Sequence, residues 1–401
     1  MKSKFIIALV AIAVEFNWQA EAQIYDTNNV VVQTFAGSGF AGYVDGVGTL
    51  TMFNGPGAVV ADSHGSLFVW DSGNSKIRKI TQDSTVLTFV QPPDSYGDTY
   101  LAIGDEDTIW KVTYSSAYLC KITSGANVTN LFLSSRLSQA GGICIDPTGN
   151  IFIAQYNDHQ IWRYATNGGL EVFAGSGNQG YADGNGIFTA FSYPSRLAAD
   201  AVGNIYVWDS GNALIRRIDP SRNVTTFAGK FGVRSDQDGD GANATFGAIE
   251  QMCFDKSGNM ILACGSSVRK ASMTTNVTTL AGSFTQSGYT NGPGILARFS
   301  RARGVCVSGN TIFVADADNQ RIRSLNYNPS PEPVVPANLQ LGTYAGLRIV
   351  GMVGRAYQIQ SSPDMTNWTS RATMLLPASP YLWIDQAPIS GSKFYRASLL
   401  P

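Results

Sequence analysis

The chain has 401 residues, 44% hydrophobic and 14% charged, which is enough for a large core and more than one domain. Its formal net charge of −1 supplies no general basic field, so nucleic acid and anionic membrane surfaces are disfavoured as partners. The two histidines, His64 and His159, are too few for a three-histidine zinc site. Both lie in turns, where we expect them to be exposed.

The first 22 residues have the pattern of a secretory signal peptide. Two lysines precede an apolar run over residues 5–14, and the motif Ala-Glu-Ala at 20–22 has the small residues of a cleavage site. The alternative is a membrane anchor, but a spanning helix needs about 20 apolar residues. We therefore expect export, with a mature chain that is secreted or lies at the cell surface or in the periplasm.

A short motif recurs along the chain and organises most of it. Each copy is followed by three further apolar runs, separated by Gly, Asn and Asp turn residues, which predicts antiparallel sheets of four strands. Such sheets bury both faces by stacking around an axis. The motif Phe-Ala-Gly or Leu-Ala-Gly stands at 35–37, 173–175, 227–229 and 280–282, with degenerate copies at 87–89 and 130–132.

The order of these runs predicts how the ring of sheets closes. The chain opens with an outermost-strand element at 32–35, and the repeats end with a three-strand element at Leu325. The first strand must then complete the last sheet, which removes an exposed edge. We predict an all-β fold in which residues 23–327 form a six-bladed β-propeller closed by the N-terminal strand.

The repeated residues resemble the NHL repeat. Phe-Ala-Gly, then Asp-Gly, then Pro, then Gly-Asn-Ile-Tyr-Val-x-Asp-x-x-Asn-x-x-Ile-Arg carry the resemblance, which extends over about residues 30–325. Three repeats depart from it, because Thr113, Gln155 and Cys264 stand where the strand-end aspartate would be. The resemblance implies a binding scaffold and no particular reaction.

A proline-rich segment separates a second domain from the propeller. Four prolines within residues 328–336 favour an extended, semi-rigid linker over residues 328–337. Residues 338–401 then alternate in strand fashion. Gly354, Asp364 and Trp368 are among the residues by which this segment resembles small β-sandwich modules of secreted bacterial proteins, which implies attachment or spacing.

The five cysteines raise the question of disulfides, which export would permit. Cys144, Cys253 and Cys306 occupy the same position in three repeats. Equivalent positions of different sheets are too far apart to be bridged unless the sheets adjoin near the axis. We interpret these three as buried free thiols and leave Cys120 and Cys264 open.

An acidic segment has part of the pattern of a calcium loop. Asp236, Asp238 and Asp240 alternate with other residues and are followed by glycine. The position of the terminal acidic ligand is Gly247, and Asp-Gly recurs at the same place in other repeats, so we favour a repeat turn. No cofactor is predicted, and calcium is the open alternative.

Aromatic and acidic residues recur on the loops of one predicted face. The turns between second and third strands and the connections between sheets emerge there together. These connections are long except after Val90 and Phe132, so the face is walled on four sides and open near the second and third sheets. Binding sites are usually found on such loops of a rigid scaffold. The candidate binding residues are Tyr43, Asp45, Trp70, Asp71, Tyr181, Asp183, Trp208, Asp209, Tyr289 and Asp316.

Two structural alternatives apply to these candidates. Asp71, Asp209 and Asp316 are each followed three residues later by asparagine, and such residues often bond the backbone of their own turn. Trp70 and Trp208 would suit a sugar or peptide, but they would equally fill the space between sheets.

Together these observations predict an exported binding protein rather than an enzyme, which engages an extracellular glycan, peptide or protein through the loops of this face. No catalytic residue is predicted. The alternative is a calcium-dependent, lactonase-like hydrolase, a kind of enzyme that similar six-bladed propellers host. It would need several carboxylates that converge on the central channel. A purely structural surface protein is a third possibility.

Overall fold

The chain divides into two compact units, residues 1–328 and 329–401. The computed structural model describes residues 30–93, 98–134, 139–327, 346–349, 355–364, 366–376, 381–384 and 394–400. The predicted signal peptide at 1–22 and the linker at 328–337 lie outside these residues. No helix in the described segments has the length and apolar character needed to cross a membrane.

The described part of the first unit contains six antiparallel sheets of four or five strands. They follow the predicted runs, because β-branched and aromatic residues alternate between turn residues. Sheet 1 has Pro56–Ala61, Leu67–Asp71, Lys76–Ile80, Thr85–Val90 and Gly46–Val47; sheet 2 has Thr99–Ile103, Ile109–Thr113, Tyr118–Ile122 and Val128–Phe132; sheet 3 has Ala140–Ile145, Ile151–Gln155, Gln160–Tyr164 and Leu170–Ala174. Sheet 4 has Pro194–Ala199, Ile205–Asp209, Leu214–Ile218, Asn223–Ala228 and Gly184–Asn185; sheet 5 has Gln251–Phe254, Met260–Cys264, Ser267–Ala271, Asn276–Gly282 and Gly239–Asp240; sheet 6 has Ala302–Ser308, Thr311–Asp316, Arg321–Tyr327, Val30–Ala36 and Gly292–Pro293.

Short 3-10 helices accompany these strands. They occur in the connections and turns, where a single tightened turn changes the chain direction. Those in the described residues are Gly48–Leu50, Ser72–Asn74, Asp105–Asp107, Gly186–Phe188, Gly241–Asn243 and Gly294–Leu296.

Sheet 6 combines the two ends of the first unit. Val30–Ala36 lies between Arg321–Tyr327 and Gly292–Pro293 and is antiparallel to both. Val30 and Val32 are buried, and Val31 and Gln33 are more exposed, as expected for a strand with one face in the core.

The first strands of the six sheets contact one another in chain order, and Ala302–Ser308 of sheet 6 contacts Pro56–Ala61 of sheet 1. The approach is close at Gly304, where an added Cβ would lie 2.2 Å from the carbonyl oxygen of Gly57. Only glycine fits there. The six first strands together line one cavity, which we call the central channel.

An apolar cluster lies between each pair of neighbouring sheets in the described residues. Trp70, 1% exposed, packs between sheets 1 and 2, and Trp208, 3% exposed, packs between sheets 4 and 5. Both tryptophans therefore fill space between sheets. Their predicted contact with a ligand stays a prediction.

All five cysteines are free thiols. Cys144 and Cys306 are buried and Cys253 is partly buried, and burial raises the pKa of each of these thiols. Cys120 and Cys264, which the sequence left open, are also buried.

The second unit contains two further antiparallel sheets in its described residues. Ile349, Tyr357, Ile359 and Leu376 form its buried cluster. Gly346–Ile349 pairs with Tyr381–Ile384, and Ala356–Ser362 pairs with both Thr369–Leu375 and Phe394–Leu399.

Candidate binding site

A buried ion pair holds the end of the second strand in sheets 1, 4 and 6. In sheet 4, Arg216 Nη1 donates to Asp209 Oδ2 at 3.0 Å, and both side chains are fully buried. Asn212 donates to the same oxygen, and the backbone N–H of Ser192 donates to Oδ1. Burial raises the pKa of Asp209 to about 6, although these hydrogen bonds oppose the rise. The equivalent pairs are Asp71 with Arg78 and Asp316 with Arg323.

The same arginines fasten the long connections between sheets. Arg216 Nη2 donates to Asp183 Oδ1 at 2.5 Å and to the carbonyl oxygen of Ala182, and the guanidinium lies 5.4 Å from the ring centroid of Phe191. All three of these residues belong to the connection that precedes sheet 4. In sheet 1, Arg78 contacts Asp45, Val44 and Phe53; in sheet 6, Arg323 contacts Asn291, Thr290 and Phe299.

Sheet 5 keeps this arrangement although cysteine replaces the strand-end aspartate. Arg269 is fully buried and bonds Asp238, the carbonyl oxygen of Thr245 and that of Gln237. Asp236 lies 3.6 Å from the same guanidinium. Four long connections are therefore held by four buried arginines.

Each of the five candidate aspartates is thus bound by a buried arginine. Asp45 and Asp71 share Arg78, Asp183 and Asp209 share Arg216, and Asp316 binds Arg323. These ion pairs give each aspartate a structural role, which is to hold a buried arginine in place. Their predicted contact with a ligand stays a prediction.

The three candidate tyrosines lie on three different connections and remain exposed. The ring of Tyr289 is 3.9 Å from the guanidinium of Arg321, and Tyr43 lies 5.0 Å from the ammonium of Lys76. Tyr181 stacks on Phe231 at 4.1 Å. They lie at the rim of the loop face, the face that carries the connections and the turns between second and third strands. Their predicted contact with a ligand stays a prediction.

Sheets 2 and 3 lack the buried arginine. By strand register, Cys120 and Trp162 occupy the position of Arg78, and the strand ends are Thr113 and Gln155. Their connections are short, so there is no long loop for an arginine to fasten. The sequence predicts that the loop face is open over these two sheets, and residues 94–97 and 135–138 of the two short connections lie outside the described residues.

A row of half-buried aromatic side chains occupies this open side. The ring centroids of Tyr114 and Tyr156 are 6.1 Å apart, and those of Tyr156 and Tyr193 are 5.0 Å apart. Tyr114 donates its backbone N–H to the carbonyl oxygen of Asp98 at 2.8 Å. We call Tyr114, Tyr156 and Tyr193 the tyrosine row.

The tyrosine row was missed in the sequence. A signal was present, because Tyr114 and Tyr156 directly follow the strand ends of two of the three repeats that lack the strand-end aspartate. In sheets 1 and 4 a serine stands at this place. The change of residue type coincides with the shortened connections.

The central channel begins beside the tyrosine row. It encloses about 280 Å³. Arg196, three residues after Tyr193, occupies a β-bulge with φ of +37°. Its Nη1 donates to the carbonyl oxygen of Gly141 at 3.0 Å and its Nη2 to Glu250 Oε2 at 3.2 Å, and the guanidinium lies 4.6 Å from the ring centroid of Tyr100.

A second ion pair lies at the same end of the channel. Arg303 Nη2 donates to Asp98 Oδ1. Beside it, Gln251 accepts a hydrogen bond from the backbone N–H of Val59 at 3.2 Å and donates one to its carbonyl oxygen at 2.8 Å. Residues from all six sheets, including Gly141 of sheet 3, therefore meet at this end, which we call the channel mouth. Sequence periodicity could not reveal it, because its members come from different repeats.

His159 joins sheet 3 to the start of sheet 4. Its Nδ1 accepts the backbone N–H of Tyr193 at 3.1 Å, and its ring packs on that of Tyr193. It is half-buried rather than exposed as expected, because the first strand of sheet 4 begins against it. Burial lowers the pKa of His159.

Replacing His159 by glutamine is expected to reduce the acid sensitivity of folding. Protonated histidine cannot accept the Tyr193 N–H. Because the folded-state pKa is lowered, the stability from neutral His159 is present above the unfolded pKa of about 6.5 and is lost as the pH falls towards the folded pKa. Glutamine does not titrate, and in sheet 6 Gln320, at the same turn position, accepts the backbone N–H of Gly55 at 2.6 Å.

The measurement is thermal unfolding at pH 7.5 and at pH 5. His64→Gln is the matched control, because the His64 side chain is largely exposed. An equal pH dependence in both variants would contradict the assignment.

Candidate metal ligands are of two kinds. The carboxylates of the acidic segment diverge: Asp236 accepts the backbone N–H of Gly247, Asp238 binds Arg269, and Asp240 binds Asn276. This divergence supports the turn interpretation. Elsewhere, among the residues that the structure describes, Asp62, His64 and Asp107 form a group whose ligand atoms lie within 4.8 Å of one another.

Sequence comparison finds the NHL repeat in residues 299–323. NHL repeat-containing protein 2 of Homo sapiens is 26% identical over 355 residues, which cover 77% of this chain and 44% of that protein. The chain thus spans less than half the length of this relative.

Solved structures resemble the chain in fold. A protein of unknown function from Bacteroides thetaiotaomicron has a TM-score of 0.63 at 20% identity, covering 74% of this chain and 76% of that one. An auxiliary nutrient binding protein from the same organism has a TM-score of 0.62 at 18% identity, covering 75% and 77%. At these identities the likeness concerns the fold alone. The matches together support an NHL-repeat β-propeller as the fold of the first unit.

Proposed function

We propose that the protein is an exported binding protein that holds an extracellular glycan, peptide or protein against the loop face of a six-bladed propeller. The unbroken sequence of contacts among the six first strands, with Val30–Ala36 in sheet 6, supports a closed ring. The second unit, proposed as a β-sandwich, would then attach or space the propeller outside the cell.

One observation carries this proposal: the tyrosine row lies beside the channel mouth on the side where the connections are short. Tyrosine has an apolar ring and a polar hydroxyl, so it suits ligands that are apolar on one side and hydrated on the other. Polar groups that converge at a cavity beside such rings are typical of a binding site. The four fastened connections keep the surrounding rim rigid, which limits the entropy lost on binding.

Tyr156→Ala is expected to lower the affinity for the ligand at least tenfold, because aromatic anchors at the centre of a site carry much of the binding energy. The experiment places the chain from residue 23 onward on glycan and peptide arrays and measures affinities of the positives by calorimetry. Tyr43→Ala is the matched control, since Tyr43 is a rim tyrosine near sheet 1. Melting temperatures of both variants show that each is folded.

The outcomes separate the hypotheses. A loss with Tyr43→Ala and none with Tyr156→Ala would place the ligand at the rim, as the sequence predicted. Wild-type protein that binds nothing on the arrays would contradict the proposal and favour a structural surface protein.

The lactonase-like alternative has less support. Among the described residues that line the channel, Glu250 is the one carboxylate, and it is paired with Arg196. A calcium site would need several carbonyl or carboxylate oxygens directed at one point. Micromolar calcium binding that Glu250→Gln abolishes would nevertheless favour the hydrolase over the binding protein.

A further inference from the structure

We propose that the ligand is an acidic saccharide whose carboxylate binds Arg303 at the channel mouth. This inference rests on the proposed function and specifies the substrate class of that site. Four features of the described residues lead to it, namely the charge of the channel lining, the exchangeability of the Arg303 ion pair, the tyrosine row and the blocked strand edge at Val59.

The charged side chains that line the described channel are Arg196, Arg303 and Glu250. Their sum is +1. Asp98, which binds Arg303 from outside this lining, balances that charge, and an anion that displaces Asp98 would take over this role. Apolar side chains such as Ile143, Val305 and Val307 line the channel beside them. Charges at the edge of an apolar cavity interact more strongly than they would in water.

The two arginines differ in how firmly they are held. Arg196 is fixed by Glu250, the Gly141 carbonyl oxygen and the ring of Tyr100. Arg303 has one carboxylate partner, Asp98, whose side chain is 54% exposed whereas that of Arg303 is 17% exposed. An ion pair with one partner in water contributes little.

A ligand carboxylate can therefore replace Asp98 at Arg303. The guanidinium is planar and presents paired donors that match the two oxygens of a carboxylate. Asp98 is free to turn into solvent when this happens. No bond is formed or broken in the exchange except these hydrogen bonds.

The tyrosine row indicates that a saccharide carries the carboxylate. Tyr114 is bonded through its backbone to Asp98, so the row begins at the Arg303 ion pair. Aromatic rings offer flat apolar surfaces to the C–H faces of sugars. An extended peptide would instead pair with a free strand edge, and at Val59 the channel-facing edge is already taken by Gln251.

The experiment is calorimetric titration of the chain from residue 23 onward with a panel of hexuronate oligosaccharides, each beside its methyl ester. The ester keeps the sugar and removes the charge. We expect at least one acid to bind at least tenfold more tightly than its ester. Arg303→Gln should lower the affinity for that acid at least tenfold and should leave the affinity for the ester within twofold of the wild-type value.

Two further variants make the test specific. Arg234→Gln removes an exposed arginine of the loop face that does not line the channel, and binding should stay within twofold. Asp98→Asn removes the competing carboxylate, so acid binding should tighten two- to tenfold.

Each result that contradicts the inference overturns a different part of it. Equal binding of acid and ester, or equal losses in Arg303→Gln and Arg234→Gln, would overturn the carboxylate assignment while ligand binding at the loop face still stands. Binding of peptides through their free C-terminal carboxylate, with none of the saccharides bound, would overturn the saccharide assignment. Binding of neither would overturn this inference, and the arrays and the Tyr156→Ala variant would then decide the proposed function separately.

Discussion

Deletion of residues 30–36 is expected to unfold the first unit rather than to shorten it. This strand is hydrogen-bonded on both edges, to Arg321–Tyr327 and to Gly292–Pro293. Val30, Val32 and Ala36 are buried between sheets. Burying a valine side chain contributes roughly 1.5–3 kcal/mol, so the deletion should cost about 5 kcal/mol or more once the lost strand pairing is included.

Thermal unfolding and size-exclusion chromatography of the purified variant measure this effect. We expect a loss of the cooperative transition and self-association, because the unpaired edge of Arg321–Tyr327 would be exposed. A chain that begins at residue 30 is the matched control and should unfold like the longer one. A deletion variant that melts within a few degrees of the control would show that the strand is a dispensable addition.

Arg216→Met is expected to cost about 3–5 kcal/mol of folding stability, because it leaves Asp209 buried without its cationic partner. The control is Asp183→Asn, which removes the other carboxylate bound to Arg216. Asp183 is 53% exposed, so this change should cost no more than about 1 kcal/mol. Chemical denaturation of the two variants and of the wild-type chain measures both changes in the free energy of unfolding.

The pH dependence of Arg216→Met supplies a second readout. Burial raises the folded-state pKa of Asp209 to about 6 already in the presence of arginine, above the ordinary value of about 3.9. The folded state therefore binds more protons between these values, and its stability increases as the pH falls through this window. Without arginine the shift should be larger, so the deficit of the variant should shrink between pH 7 and pH 5. A deficit that is independent of pH would indicate lost packing instead of an unpaired charge.

These variants also bear on the candidate aspartates. If Arg216→Met unfolds the protein, Asp209 acts by holding the loop face together, and its contribution to binding is indirect. The functional residues would then be those of the channel mouth and the tyrosine row.

The sequence by itself determined the parts of the structure that depend on near neighbours. Alternating apolar residues between Gly, Asn and Asp turns predicted the antiparallel sheets, because side-chain direction alternates along any strand. The long and short connections between repeats predict a loop face that is walled on four sides and open near sheets 2 and 3, which stays a prediction. Each of these features depends on residues close to one another in the chain, as the turn preferences of Asp, Asn and Gly are local.

Only the tertiary structure decided which polar side chains of the loop face bind other side chains of the protein and which are left to bind a ligand. Asp71 and Asp209 were candidates for binding, but each pairs with an arginine seven residues further on, on the next strand of the same sheet. This contact is local, and strand alternation did not reveal it because alternation gives the face of a side chain and not its polar partner. Arg196 and Arg303 were not candidates, and yet they meet Glu250 and Asp98 from other sheets. The physical reason is that a charge is satisfied by whichever partner the packing of sheets brings near. Strand periodicity carries no information about partners from other repeats.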